Sequence, residues 1–373
     1  MRKRFVLRYG ARQLQTAAAE AVKLRGGPDL TRPMHVRAVV NDLCNYRCRY
    51  CEMWRLPQER RREEMSIEGW KRALSSVRDL TGWTVVQFSG GEPFIKKGFV
   101  DLLEWCRDHE IPWGVITNGS ALNEKISRRV VEARPTNFDI SLDAPVADIN
   151  DYVRGRDGAF DRIVRGIGYL TKFREETGIN FPIRLKPVVT LPSMPYLTDM
   201  VKLTEKLGVD FVDFNALREW DNPGVTNLHI REPADLAKLE RQVEELIAMK
   251  RAGAPIETSE DRLRALIPHS AGDVTFSGVA PCRVGMRELH IRPNGDVEVC
   301  WFFDTLGNLR DMPAKQLWNS PRARKIREET VSCDKFGTIA CANSCLTHRT
   351  VKQQVQRGLD MVTRSSRLRV LAN

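Results

Sequence analysis

His35-Val36-Arg37-Ala38-Val39-Val40 leads, after three residues, into Cys44-Asn45-Tyr46-Arg47-Cys48-Arg49-Tyr50-Cys51. The first run alternates and is rich in β-branched residues, the pattern of a strand with two unlike faces. The second spaces three cysteines by three and then two residues, so three thiolates can meet at one point with little chain closure to fix. Cysteines at such spacing in a reducing compartment favour a metal over disulfides, and an all-thiolate set points to zinc or an iron–sulfur cluster. Both commonly take four ligands, and this loop supplies three. Ser66 then reads as a helix N-cap, with Ile67, Trp70, Leu74 and Val77 following at helical spacing. The unit is strand, functional loop, helix.

That unit recurs. Residues 84–88 form a second strand, followed by Ser89-Gly90-Gly91-Glu92-Pro93 and a helix through Phe99, Leu102, Leu103 and Cys106. Residues 113–116 form a third, followed by Thr117-Asn118-Gly119. Residues 138–142 form a fourth, ending at Asp143, and its helix carries Phe160, Ile163, Ile167 and Leu170. Residues 183–189 and 211–214 are the fifth and sixth, with Pro187 lacking the N–H a ladder needs. Strands alternating with helices imply an α/β chain with a parallel sheet, a partial (β/α)6 TIM-like barrel. In such folds chemistry sits at the C-terminal ends of the strands, where each of these loops falls. Cys106, on a helix face, reads as an ordinary buried apolar residue.

The 373 residues are enough for a large domain and a smaller one. A hydrophobic fraction of 42% and a charged fraction of 29% are those of a globular chain. No apolar run reaches the roughly 20 residues of a membrane span, and Arg8 and Arg12 interrupt the only apolar stretch near the start, against a secretory signal. A cytoplasmic location is expected. The net charge of +11 admits nucleic acid, an anionic substrate or a membrane surface, although the basic residues are spread along the chain. Residues 1–32 read as a basic helical extension, with Leu7, Leu14, Ala18 and Val22 near one face. It would either pack on the body or associate with a membrane surface.

The remaining clustered cysteines are Cys282, Cys300, Cys333, Cys341 and Cys345. Between the first two, alternating residues flank Pro293-Asn294-Gly295-Asp296, the pattern of a β-hairpin. Leu306-Gly307-Asn308-Leu309 and an amphipathic segment with Leu317 and Trp318 follow. Residues 233–251 read as a helix with Leu236, Leu239, Val243, Leu246 and Ile247 on one face. Glu219, Trp220 and Asp221, after the sixth strand, are candidate substrate contacts, with a surface loop as the other reading.

The Cys44–Cys48–Cys51 loop, followed one unit later by Gly90-Gly91-Glu92-Pro93, resembles the radical S-adenosylmethionine (radical SAM) enzymes. The resemblance implies a [4Fe–4S] cluster held by Cys44, Cys48 and Cys51, with SAM on the fourth iron. Tyr50 would lie beside the adenine, and the segment Gly90, Gly91, Glu92 and Pro93 would engage the SAM amino group. Ser141 and Asp143 would sit near the ribose or methionine, Lys186 would pair with the carboxylate, and Asn118 would line the pocket. Cys282, Gly295 and Cys300 resemble the opening of the SPASM and twitch extensions of that family. The full SPASM pattern holds two auxiliary clusters; five cysteines here imply one auxiliary [4Fe–4S] cluster. Its ligands would be Cys282, Cys300 and Cys345 with Cys341 or Cys333, and a spare Cys333 would be a candidate hydrogen-atom donor. The implied layout is a core barrel over 33–232, a helical linker over 233–275, an auxiliary domain over 276–350 and a basic tail over 351–373.

What the resemblance implies is an enzyme that cleaves SAM reductively to a 5′-deoxyadenosyl radical and takes hydrogen from a C–H bond. The expected outcome is oxidative modification, dehydrogenation or cross-linking, of a peptide or protein. The alternative is dehydrogenation, epimerisation or rearrangement of a small biosynthetic intermediate: a sugar, aminocyclitol, nucleoside or lipid precursor. An electron donor such as flavodoxin or ferredoxin is implied as partner. A separate class, a non-catalytic metal- or nucleic-acid-binding protein, would show basic residues interleaved with aromatics; the tail from Arg364 to Arg369 has no aromatic residue.

Overall fold

The computed structural model describes residues 2–56, 63–218, 226–272 and 282–333. The chain opens with helix α1 (Arg2–Leu24), then β1 (His35–Val39), α2 (Ile67–Thr81), β2 (Val85–Ser89), α3 (Phe99–Asp108), β3 (Trp113–Thr117) and α4 (Glu124–Glu132). It continues through β4 (Asn137–Ile140), α5 (Ala147–Arg154), α6 (Ala159–Thr177), β5 (Ile183–Leu185), β6 (Val188–Val189), α7 (Leu197–Lys206), β7 (Phe211–Val212) and β8 (Asn215–Ala216). Helices α8 (Pro233–Arg251), α9 (Glu260–Arg264), α10 (Leu266–Ser270) and α11 (Val284–Arg287) precede β9 (Glu288–Ile291), β10 (Asp296–Glu298), β11 (Gly307–Asn308), α12 (Ala314–Asn319) and α13 (Pro321–Glu329).

The strands form one sheet in the order β11-β10-β9-β1-β2-β3-β4-β5-β7, with β6-β8 as a separate pair. From β1 to β7 every pairing is parallel, so the loops after these strands all emerge at one end. Val36, Ala38, Val86, Phe88, Val115, Phe138, Ile140 and Leu185 are buried along the strands. Helix α2 shows how the sequence sets an element. The Ser66 side chain accepts from the Gly69 N–H at 3.1 Å. Trp70, Ala73, Leu74, Val77 and Leu80 are buried, and Gly82 closes the helix at φ 68°, a conformation that favours glycine.

Two expected strands are interrupted. Residues 183–189 divide into β5 and β6 at Lys186-Pro187, and residues 211–214 end at Val212, with β8 starting at Asn215. Pro187 has no N–H to give; its carbonyl accepts from Asn215 N at 2.9 Å. Both chains bend at matching positions and pair again as β6 and β8, Val188 with Asn215 and Val189 with Ala216.

The expected hairpin is present, and it is continuous with the parallel sheet: β9 pairs in parallel with β1, His35 opposite Glu288 through Ala38 opposite Ile291. Strand β10 returns antiparallel to β9. Gly295 turns at φ 93°. Helix α1 lies against the body: the Tyr9 hydroxyl is 3.0 Å from His35 Nε2. The fully buried Glu20 receives Arg287 Nη2 at 2.6 Å and Arg283 Nη1 at 3.2 Å. Leu7 and Leu14 remain exposed. Among the described residues no helix is long and apolar enough to cross a membrane.

Candidate active site at the C-terminal ends of the strands

The cysteine loop leaves β1, Gly90–Glu92 leaves β2, Asn118 leaves β3, Ser141 and Asp143 leave β4, and Lys186 leaves β5. Parallel pairing thus gathers residues scattered over 140 sequence positions at one rim.

The two glycines are packing devices as much as turn residues. A Cβ on Gly91 would lie 2.1 Å from Leu43 O and 2.8 Å from Cys44 N, and one on Gly90 would lie 2.4 Å from Asn41 Oδ1. Backbone hydrogen bonds fill the space instead: Gly91 N donates to Asn41 O at 3.0 Å and Glu92 N to Leu43 O at 2.7 Å. Only glycine lets the second loop lie this close against the first. Glu92 is fully buried. Its carboxylate accepts from Thr117 Oγ1 at 2.7 Å, Asn118 N at 2.7 Å and Phe94 N at 3.1 Å, tying β2 to β3. Burial pushes this carboxyl up to about 7, against the pull of those donors. Pro93 is buried beside it.

Asn118 reaches back to the cysteine loop, with Nδ2 donating to Asn45 Oδ1 at 3.0 Å and lying 3.8 Å from Cys44 Sγ. The Tyr50 hydroxyl donates to Asp143 Oδ2 at 3.1 Å, and Val188 N donates to Asp143 Oδ1 at 2.9 Å. Ser141 is half-buried, its N–H donating to Thr117 O at 2.9 Å. Lys186 Nζ lies 2.7 Å from Asp213 Oδ2. Sequence reasoning missed Arg154. This buried guanidinium, at the end of α5, lies 2.8 Å from Asp143 and donates Nη1 to Cys48 Sγ at 3.7 Å. The one sequence signal for it is the Arg154-Gly155 pair closing a helix, with Gly155 at φ 58°.

The residues fit an iron–sulfur cluster with SAM. Burial first, then the neighbouring thiols, pushes Cys44 up to about 11 and Cys51 up to about 12; burial also raises Cys48, against the pull of Arg154. The three thiols are therefore mutual neighbours whose protons a bound cation would displace. Among the described residues no three Cys, His, Asp or Glu side chains converge as on one ion. The buried polar atoms here that lack a hydrogen-bond partner include the donor Arg154 Nη2 and the acceptor Asn41 Oδ1. SAM offers a carboxylate to the first kind and an ammonium to the second.

On the hairpin side, buried Cys282 precedes α11, half-buried Cys300 follows β10, and half-buried Cys333 follows α13. A Cβ on Gly285 would lie 2.3 Å from Thr330 Oγ1, so the stretches that carry Cys282 and Cys333 touch. Cys341, Cys345, Glu219, Trp220, Asp221 and the tail lie outside the described residues. Cys106 is fully buried on α3.

The chain matches two family profiles, the radical SAM superfamily over residues 39–183 and the SPASM iron–sulfur cluster-binding domain over residues 282–345. It is 28% identical over 330 residues to an AdoMet-dependent heme synthase of Nitratidesulfovibrio vulgaris, covering 81% of this chain and 83% of that one. To a PqqA peptide cyclase of Granulibacter bethesdensis it is 24% identical over 335 residues, 84% of each chain. Among solved structures, Streptococcus suis SuiB bound to S-adenosylmethionine superposes at a TM-score of 0.64 with 19% identity, covering 87% of this chain and 76% of that one. SuiB bound to its precursor peptide SuiA superposes at 0.61, with 20% identity over 80% of this chain and 67% of that one. The α/β fold with its parallel sheet is that of these enzymes. The core domain binds SAM and a [4Fe–4S] cluster and the C-terminal domain binds auxiliary iron–sulfur chemistry. The chain belongs to the radical SAM superfamily of enzymes and carries a SPASM domain at its C-terminal end.

Proposed function

We propose that this enzyme oxidatively modifies a peptide or protein side chain, by dehydrogenation or cross-link formation. When bound, SAM and the reduced cluster supply a 5′-deoxyadenosyl radical that takes a hydrogen atom from a C–H bond. Cys44, Cys48 and Cys51 would hold that cluster. Asn41 and Arg154 carry the unmet polar atoms suited to the ends of SAM, while Asp143 orients Tyr50 and Arg154. Glu92 braces β2 against β3, so the rim keeps its shape while the substrate is held.

The observation that carries the oxidative reading is the pairing of β9 with β1. The strand bearing the cluster loop is hydrogen-bonded to the hairpin that lies between Cys282 and Cys300. A substrate radical formed at the rim must lose one more electron to give an oxidised product, and an auxiliary cluster on this hairpin would be a nearby acceptor. The likeness to a peptide cyclase supports a peptide substrate. A small biosynthetic intermediate is the second reading, supported by the likeness to a heme synthase.

The test is anaerobic turnover with dithionite and peptides carrying deuterium at candidate positions. Deuterium in 5′-deoxyadenosine, with the unlabelled peptide giving a product about two mass units lighter than itself by loss of two hydrogens, supports the proposal. Deuterium drawn instead from a small-molecule candidate replaces it with the second reading. Replacing Cys44, Cys48 and Cys51 together with alanine should abolish 5′-deoxyadenosine; continued formation would overturn the assignment of these ligands.

A further inference from the structure

Forming the adenosyl radical consumes one electron, so something must deliver it. The loop that carries Cys44, Cys48 and Cys51 has an outer surface that the chemistry at the rim does not use. Arg47, Arg49 and Arg55 are exposed there around Trp54. Their guanidinium groups rest on aromatic faces. Arg47 and Arg55 lie 5.8 and 4.7 Å from the centre of the Trp54 ring, and Arg49 lies 4.0 Å from that of Tyr152. Among the described residues neither Arg47 nor Arg49 is ion-paired. Arg129, by contrast, is neutralised by Asp101 and Glu104, each at 2.7 Å.

An open cleft lined by these three arginines, Trp54 and Gly155 marks the centre of the surface. The adjoining cleft is mixed in charge, with Arg49 and Arg156 facing Asp148, Asp151 and Asp157. Of these carboxylates Asp151 is committed to the N–H groups of Gly158, at 2.6 Å, and Phe160, at 2.8 Å. Arg47 and Arg55 line the first cleft and not this mixed one. The surface is coupled to the metal ligands by contact: Trp54 Nε1 donates to Cys48 O at 3.1 Å. Cys48 Sγ in turn receives Arg154, the residue next to Gly155. Gly155 fits only as glycine, since a Cβ there would lie 2.2 Å from Arg47 O. Arg49 has a further duty, donating Nε to Tyr152 O at 2.8 Å near the end of α5.

We propose that Arg47, Arg49 and Arg55, set around Trp54, form the docking surface for an acidic one-electron carrier protein of the flavodoxin class. Docked here, the carrier faces the outside of the cysteine loop while the rim stays free for substrate. The anionic flavin hydroquinone gives one electron and becomes the neutral semiquinone. The oxidised cluster gains that electron, and no proton moves between the proteins. The proposal rests on the family assignment and not on the identity of the substrate.

The test uses the full-length, cluster-loaded enzyme and a purified bacterial flavodoxin. Binding of oxidised flavodoxin is measured by fluorescence anisotropy at rising salt, and cluster reduction by hydroquinone flavodoxin is followed by bleaching of the visible band. Wild-type affinity should fall steeply with salt. Arg47→Glu with Arg55→Glu should weaken binding and slow reduction by roughly tenfold or more, by reversing the steering field. Iron content and reduction by dithionite should be unchanged, separating lost docking from misfolding; Arg47→Gln alone should give a smaller loss in the same direction. Salt-independent binding, or a double variant that binds flavodoxin as wild type does, would overturn the proposal. So would a double variant that keeps flavodoxin binding and loses affinity for an acidic substrate peptide, since the surface would then belong to the substrate.

Discussion

At the scale of single residues, the site depends on side chains that are absent as much as on those present. Gly91 is the clearest case. A methyl group there would overlap Leu43 O and crowd Cys44 N, both backbone atoms of the cluster loop, so the loop itself would have to move. Gly91→Ala is expected to destabilise the chain by about 1–3 kcal/mol through overpacking. Assembled iron, measured against a wild-type preparation, should fall by about half. Normal iron with a normal melt would show that the two loops are not held to this spacing. Glu92 gives a pH signature. Its carboxyl is raised in the fold from 4.5 to about 7, chiefly by burial. Between these values the unfolded chain has released a proton that the folded chain keeps. Stability therefore falls as pH rises from about 4.5 to about 7, by on the order of 3 kcal/mol from this group. In Glu92→Gln, denaturant melts across that range should lose this slope; an unchanged slope would remove Glu92 as its source. The three cysteines and the Gly-Gly-Glu run were legible in the sequence because spacing and local conformation mark them. Arg154 was not. Its importance comes from a partner eleven residues back, Asp143, and another beyond a hundred, Cys48, and no periodicity records such a meeting.

At the scale of elements, the repeated strand–loop–helix unit was readable because each strand is short, apolar and bounded by a turn. The hairpin was readable from Pro293-Asn294-Gly295-Asp296. What the local pattern does not carry is which edge an element finds. Strand β9 completes the sheet beside β1, across about 250 residues of chain, and the helical extension α1 lies against the same junction. Its Glu20 is fully buried and bridges to Arg287, the residue that leads into β9. An amphipathic reading of α1 shows a polar residue at that position, not a clamp. Removing the carboxylate strands a guanidinium that is only 4% exposed. Glu20→Ala should thus cost roughly 3–5 kcal/mol, the penalty of an unpaired buried charge, read in urea denaturation. Replacing both partners, Glu20→Leu with Arg287→Met, should recover much of the loss. If the double variant is no better than the single, the cost comes from packing and not from charge.

At the scale of the whole molecule, the sheet is continuous through both halves, yet the cysteines divide into two sets. Cys44, Cys48 and Cys51 follow β1; Cys282 and Cys300 lie on either side of β9 and β10. Hydrogen bonding along β1 and β9 does not pass through any cysteine, since the paired residues are His35 to Ala38 and Glu288 to Ile291. The sheet can therefore outlast the loss of an auxiliary cluster. With one four-iron cluster in each half, the enzyme should contain about eight iron atoms per chain. Cys282→Ser with Cys300→Ser should lower this to about four, and dithionite-driven cleavage of SAM should persist because the rim is intact. Oxidised product should be lost, since the acceptor for the second electron is gone, and 5′-deoxyadenosine should form without it. Iron that stays near eight would show that these two cysteines are not ligands. Iron that falls to near zero would show that the shared sheet binds the loading of the two clusters together, with the β1–β9 pairing transmitting damage from hairpin to rim.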